Sequence, residues 1–526
     1  MSRVSSGSEK MHPNQAPFDR TADVVVVGAG GAGLPAAIMA RDEGASVIVV
    51  ESNHDVGGHA ILSGGRIPLG GGTSLQARYG IDDSADQVYL DHTNHRVPQF
   101  RNLDRDLVRA WADENMATME FLLDNGVVFE EVEPEIVNMG TIPRLFKTRV
   151  FSSNIAETIG GRPGSGLVRA LERSARAKGV TFLLKHQLSR IIREQPNSGR
   201  VLGITARSGD GEVNIEARNG VILATGGHTS NVAFRRRLDS RLTEEYQTAG
   251  EPWSKQNAEG EMLAMEIGAA LVVSSNQISG AGPLITKTLH IGCRYGYRNL
   301  KWEPDSPMFP FAGASGLTVR DWQDLILVNQ AGQRFWNELE DTPGFLNACL
   351  GTNGNLGQNG RGANGGGPIW AIFDAAGAER ENWDPRPPNV DLNGWFFPAG
   401  TLAELATKIR NPYQFQPVPA QALEQTVARY NSFVDVGKDL DFEKPEPKYK
   451  IEAPPFYAAW STPILHDSFT GLKIDSKCRV VDRRGEVIPG LYCAGESAGG
   501  FALHGLPRVI VFGRIAGREA ALAGEI

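Results

Sequence analysis

Cysteine is scarce: four residues in 526, at Cys293, Cys349, Cys478 and Cys493. None falls in a CxxC or CxxCH pattern. That excludes a disulfide scaffold, an iron–sulfur ligand set and c-type haem attachment, and no metal site is predicted. Such usage fits a reducing, cytoplasmic setting. Long apolar runs are also missing, and no stretch approaches the roughly eighteen apolar residues of a membrane span. Basic charge is short: 53 Lys and Arg stand against 61 Asp and Glu, a net charge of −8, with no long basic run. This argues against nucleic acid and anionic lipid as partners. The nine tryptophans and ten tyrosines are scattered and form no stacking platform for single strands. Residues 1–20 are polar, lack the apolar core of a signal peptide and read as a mobile leader.

Glycine is in excess. The chain holds 61 of them, about one residue in nine, against a usual share of roughly 7%. They follow no every-third-residue period, so the excess is not collagen-like. A length of 526 residues suggests two to four domain-sized units, and 41% hydrophobic residues can build large cores.

Order begins at Asp23. Residues 24–27 are four valines bounded by glycine, the pattern of a strand buried on both faces. A glycine-rich turn over 28–33 follows, then a helix over 34–43 and a second buried strand over 45–50, closed by Glu51. Together they make one βαβ unit. Helical patterns cover 81–126 and 166–178, and strands are predicted at 180–184, 201–206 and 221–224. From about Arg235 the composition changes, and 240–450 is richer in Trp, Pro and Asn, with a Gly/Asn-rich loop over 351–367. Sheet-like sequence returns at 471–495, and a helix closes the chain over 507–522. The predicted fold is α/β. A doubly wound, Rossmann-like parallel-sheet domain is split between 21–240 and 451–526, and an α+β cap for substrate, 241–450, is inserted into it.

Gly28, Gly30 and Gly33 form a GxGxxG with its full context of strand, helix and acidic strand tip. Gly28 permits the tight turn, Gly30 lets backbone approach a pyrophosphate, and Gly33 lets helix pack on sheet, with Gly31 and Ala32 completing the turn. The pyrophosphate would sit at the helix N-terminus. Glu51, eighteen residues beyond Gly33 and followed by Ser52, is placed to accept from a ribose diol. A second glycine cluster, Gly57-Gly58-His59 through Ser63-Gly64-Gly65, suits a chain that passes along a flavin. Ala224-Thr225-Gly226 and the late turn Gly495-Glu496 supply further backbone contacts. The helix from Pro507 would point its positive end at a reduced, anionic flavin. FAD is therefore the predicted cofactor.

The segments VVVVGAGGAGLPAA (24–37), VVESNHDVGGHAILSGG (49–65), VILATGG (221–227), ILVNQAGQRFWNE (326–338), IPGLYCAGE (488–496) and VFGRIAG (511–517) span nearly the whole chain. In order and content the sequence resembles the FAD-dependent family of fumarate reductase flavoproteins and 3-ketosteroid dehydrogenases. The GGHAILSGG spacing with Pro68–Thr73 is closer to the ketosteroid branch. The resemblance implies a flavin domain, a cap, substrate between them, and hydride exchange beside an activating carbonyl or carboxylate. Two departures stand out. The stretch before the last helix reads His504-Gly505-Leu506-Pro507-Arg508 in place of the longer fumarate reductase segment, and no tyrosine follows Tyr492. No second dinucleotide motif is present, so an external electron acceptor or donor is needed.

Chemistry at a flavin needs an acid or base and a group that polarises the substrate carbonyl. His504 and Arg508 are placed to hold an anionic or carbonyl oxygen. His466 matches the family's His-x-x-x-Gly-Gly segment, with Thr470 for the first glycine. Tyr457 could donate a proton where the chain re-enters the flavin domain, and Tyr295, Tyr297 and His290 are cap-side acid or base candidates. Arg320 is the nearest counterpart of the family's catalytic arginine, and Arg334 reads as structural. His59 reads as a contact at the flavin edge, with FAD held non-covalently. The leading expectation is desaturation of a C–C bond beside a ketone. The alternatives are a fumarate-reductase-like ene-reductase and a flavin-binding protein without turnover.

Overall fold

The computed structural model describes residues 17–94, 103–136, 140–151, 163–273, 275–276, 280–281, 283–294, 316–341, 343–351, 363–501 and 503–525. Residues 1–16 of the expected leader, Tyr295, Tyr297 and most of the 351–367 loop lie outside the described residues, and Arg20, expected as the leader's last residue, already opens the first strand.

Strand β1 (Arg20–Val27) carries the four valines, all buried. Helix α1 (Gly33–Asp42) follows, then β2 (Val47–Glu51), which pairs parallel to β1 with Val24 opposite Val47. Further along the chain come the short α2 (Gly58–Leu62) and α3 (Pro163–Ala177). Next are β3 (Thr181–Leu184), β4 (Gln187–Gln195), β5 (Ser198–Ser208) and β6 (Gly211–Leu223). The last pieces are β12 (Arg479–Val481), β13 (Val487–Cys493) and α5 (Leu506–Leu522), at the C-terminal end of the chain. The sheet runs β12-β13-β6-β1-β2-β3, and β4, β5 and β6 form an antiparallel meander on it. Its centre is parallel, so both faces need helices. One cover is α1 packed on α5, which come so close that a Cβ at Gly513 would lie 2.3 Å from the Ala32 carbonyl oxygen.

The second body contains β7 (Ile326–Val328), β8 (Trp370–Asp374), β9 (Phe396–Ala399) and β10 (Phe456–Trp460) in an antiparallel sheet ordered β7-β8-β10-β9. Strand β11 (Ile464–Ser468) pairs with Pro283–Thr286 and Gln247–Thr248. The packing corrects the expected division of the chain at both crossings. Tyr457, Ala459 and Leu465, placed by sequence in the first body, belong to the second body's core. Trp253, Ala264 and Ile267, from α4 (Glu259–Glu266) and its flanks, were expected in the cap but pack in the first body's core. The physical reason is pairing: Phe373 of β8 lies opposite Tyr457, so β10 completes the second sheet before the chain returns. Among the described residues no helix is long and apolar enough to cross a membrane.

Candidate active site

A cavity of about 660 Å³ opens where the β1 turn, the 224–226 turn, the 253–257 segment, the end of β11 and the approach to α5 meet. That volume is in the range of small-molecule and cofactor sites. Its polar end is built by the βαβ unit. Ala29 N–H donates to Glu51 Oε2 at 2.7 Å and Asn53 N–H to Oε1 at 2.8 Å. The Ser52 hydroxyl also donates to Oε1, at 3.3 Å. These bonds fix the carboxylate, and Oε2 retains a second lone pair.

The glycines of the turn divide into two kinds. A Cβ on Gly33 would lie 1.8 Å from the Gly28 carbonyl oxygen, and one on Gly28, at φ +103°, would lie 2.2 Å from the Ala224 oxygen. Both are required by the protein itself. A Cβ on Gly30 would meet nothing nearer than the Gly57 oxygen at 3.9 Å, yet Gly30 lines the cavity. The space that Gly30 leaves open suits a close-approaching pyrophosphate, and the cradle fits a dinucleotide. FAD would be held by this turn, by Glu51 and by the Gly58-His59 and Ala224–Gly226 backbones.

Of the cofactor residues read from sequence, Gly28, Gly30, Gly31, Ala32, Glu51, Ser52, Gly58, His59, Ser63, Gly64, Ala224, Thr225, Gly226, Gly495 and Glu496 line the cavity. Gly33, Gly57 and Gly65 do not. A Cβ on Gly57 would collide with Ile61, and one on Gly65 with Thr148 and Pro163, so packing explains both. His59 faces Gln256, whose Nε2 is 3.1 Å from His59 Nδ1 and donates to Glu496 Oε2 at 2.9 Å. Burial pushes the His59 pKa down, and its Nε2 is a buried atom packed beside Gly250.

The other wall carries two histidines joined by an acid. His466 Nδ1 lies 2.9 Å from Asp467 Oδ1, and His504 Nδ1 lies 2.5 Å from Asp467 Oδ2. The rings meet edge to face at 5.0 Å between centroids, and all three residues line the cavity. Burial alone would raise the Asp467 pKa, but the two histidines, His504 foremost, hold it well below the usual carboxylate range. The Asp467 charge in turn raises the His504 pKa against the effect of burial. Strand β11 brings the pair His466-Asp467 across from the second body, and the turn before α5 brings His504.

Other sequence candidates lie elsewhere. Arg508 is 2% exposed and off the cavity wall. Its Nη1 donates to the Phe501 carbonyl at 3.0 Å and its Nη2 to the Ser468 carbonyl at 3.1 Å, so it ties β11 to α5 and does not reach the wall. The reason is helical phase, because at this position α5 turns its side chain to the core. Tyr457 is also off the wall, its ring stacked on Phe373 at 5.0 Å inside the second core. His290 sits in a two-residue β-bridge, 3.2 Å from Thr318 Oγ1. Arg320 is exposed and donates to the Glu381 carbonyl. Arg334 pairs with Glu338 and Asp439 in a buried network. Sequence reading missed Asp467 and Gln256. The adjacency of Asp467 to His466 was a signal in plain view; Gln256 carried none.

The sheet, the turn and the cavity define a dinucleotide-binding protein. The FAD binding domain family matches residues 23–506, and the chain belongs to that family. It is 27% identical to an NADH:acrylate oxidoreductase of Vibrio harveyi over 588 aligned residues, covering 96% of this chain and 51% of that protein. It is 28% identical to a fumarate reductase (cytochrome) of Shewanella frigidimarina over 517, covering 96% of this chain and 78% of that one. The chain thus spans about half of the first relative and about three quarters of the second. The fold is shared with 3-ketosteroid delta1-dehydrogenase from Sterolibacterium denitrificans at a TM-score of 0.66 and 20% identity, over 95% of this chain and 99% of that chain.

Proposed function

We propose that the chain reduces a carbon–carbon double bond activated by a neighbouring carboxylate or carbonyl, using FAD recharged by an external reduced donor. Bound FAD supplies the two-electron chemistry, exchanging hydride at the flavin ring. The protein's own part is to hold the dinucleotide by its glycine turn and Glu51, and to meet the substrate with His466 and His504.

The observation that carries this reading is the His466–Asp467–His504 trio. A histidine whose cation is favoured by an adjacent carboxylate can bind an anionic or carbonyl oxygen beside a cavity and give a proton to carbon. Desaturation beside a ketone, the direction favoured by the glycine spacing, needs a base at the α carbon. Among the described lining residues there is no tyrosine to serve as one. Relatives named for the reduction of acrylate and fumarate support the same direction.

The test is a panel. FAD-loaded protein is reduced with dithionite without oxygen and mixed with acrylate, fumarate, urocanate and cyclic enones, and flavin absorbance is followed. Reoxidation by one of these compounds is expected. Reoxidation by none, with bleaching of the oxidised protein by a saturated ketone, would reverse the assignment.

A further inference from the structure

We propose that Asp467 is a positioning residue that makes His504 the proton donor of this site. The inference rests on the reductase reading above. Asp467 has a side chain only 6% exposed, and each of its oxygens takes one ring. A carboxylate only accepts, so the Nδ1 of each histidine carries its hydrogen toward Asp467, and the exchangeable proton of His504 resides on Nε2. The His504 side chain is 53% exposed and lines the cavity.

The charged groups around His504 come from three elements. Asp467 and His466 lie on β11, Glu496 on the turn after β13, and Arg508 on α5. Asp467 and Glu496 favour the cation, and Arg508 opposes it. His59 on α2 feels the same Asp467 and Glu496 charges, but burial pushes its pKa down. The arginines offer no substitute among the described residues. Arg508 is turned inward, Arg320 is spent on Glu381, and Arg66 on the cavity wall pairs with Glu135 at 2.8 Å. The trio also resembles a metal ligand set. The Nδ1–Oδ separations of 2.5 and 2.9 Å are hydrogen-bond lengths, shorter than the roughly 3.3 Å between neighbouring ligands on a zinc ion at its usual bond lengths.

The step balances. The alkene gains hydride, with its electron pair, at the carbon remote from the activating group, drawn from the reduced cofactor. It gains a proton at the adjacent carbon from His504 Nε2. The imidazolium becomes a neutral imidazole with Nδ1–H still on Asp467, and a solvent proton restores it.

The experiment compares wild type, Asp467→Asn, Asp467→Glu and His504→Gln as FAD-loaded proteins. Histidine-selective nitrogen NMR follows the titration of His504. The pH profile of acrylate reduction with reduced viologen is recorded in parallel. In Asp467→Asn the His504 titration is expected to move to lower pH, and the alkaline limb of kcat to move with it. At alkaline pH kcat should fall at least about tenfold with KM within about threefold, and Asp467→Glu should restore most of it. His504→Gln should lose roughly 10²-fold or more, the range for a general acid. A His504 titration unmoved by Asp467→Asn overturns the proposal, as does a pH limb that responds to chelator and not to the substitution. If wild type reduces no activated alkene, the reductase reading falls and the donor role falls with it, while the NMR titration still judges the Asp467–His504 coupling separately.

Discussion

Gly30→Ala separates what the protein needs from what its cofactor needs. In the protein alone the added methyl has room, since its nearest neighbour is the Gly57 oxygen at 3.9 Å and the Gly30 backbone is not left-handed. Apoprotein stability should therefore hold or rise by about 0.4–1 kcal/mol, because alanine narrows the unfolded ensemble. With FAD present the same methyl intrudes on the pyrophosphate. Displacing the turn and losing one charge-assisted bond costs about 1.5–3 kcal/mol, or roughly 10- to 100-fold in Kd. The assay is thermal unfolding with and without FAD. At a concentration 100 times the wild-type Kd, FAD stabilises wild type by about 2.7 kcal/mol, and a hundredfold weaker variant by only about 0.4. Gly33→Ala is the control, because its Cβ would sit 1.8 Å from a backbone oxygen and should destabilise the apoprotein too. A Gly30→Ala protein that binds FAD within threefold of wild type, or whose apo form is as unstable as Gly33→Ala, would refute the argument.

The buried Arg334–Glu338–Lys444 network makes two further outcomes specific. Burial favours the neutral acid at Glu338, but Arg334 and Lys444 hold its pKa at about 2, below the ordinary 4.5. Its contribution is thus present above pH 4.5 and lost as pH falls toward 2, so Glu338→Gln should flatten the acid limb of stability in pH-dependent melts. The same variant strands Arg334 and Lys444 and should cost about 3–5 kcal/mol in urea unfolding. Tyr457→Phe should leave kcat within twofold, since its ring only packs on Phe373, whereas Tyr457→Ala should cost about 3–5 kcal/mol in stability. His504 has a raised pKa, so its stabilising effect is full below its ordinary value of 6.5 and fades as pH rises through the folded value. Asp467→Asn should remove that alkaline loss from melting curves.

The first βαβ unit was legible because its signals are local: four valines, a glycine turn, an alanine-rich helix and an acidic strand tip. Strand β4 was not, because Gln187–Gln195 mixes charges with a central Ile-Ile and lacks clean alternation. The crossing points between bodies were missed because β10 looks like any apolar strand, and only its pairing with β8 assigns it to the second sheet. Within the site, backbone contacts to a cofactor follow from glycine spacing and were largely read. The side chains were harder. Whether Arg508 reaches a cavity depends on helical phase at the first turn of α5, and Asp467 acquires its place only when His504, distant in sequence, closes on it.

The cavity wall is drawn from both ends of the chain. The turn at 28–32 and the 224–226 turn are among its early sources, the 466–506 stretch is its last, and β13 pairs with β6 beside it. A nascent polypeptide that has not yet released residues beyond His466 owns most of both sheets but no complete binding site. The complete wall therefore exists only once the C-terminal stretch has been made and has folded back beside the first turn.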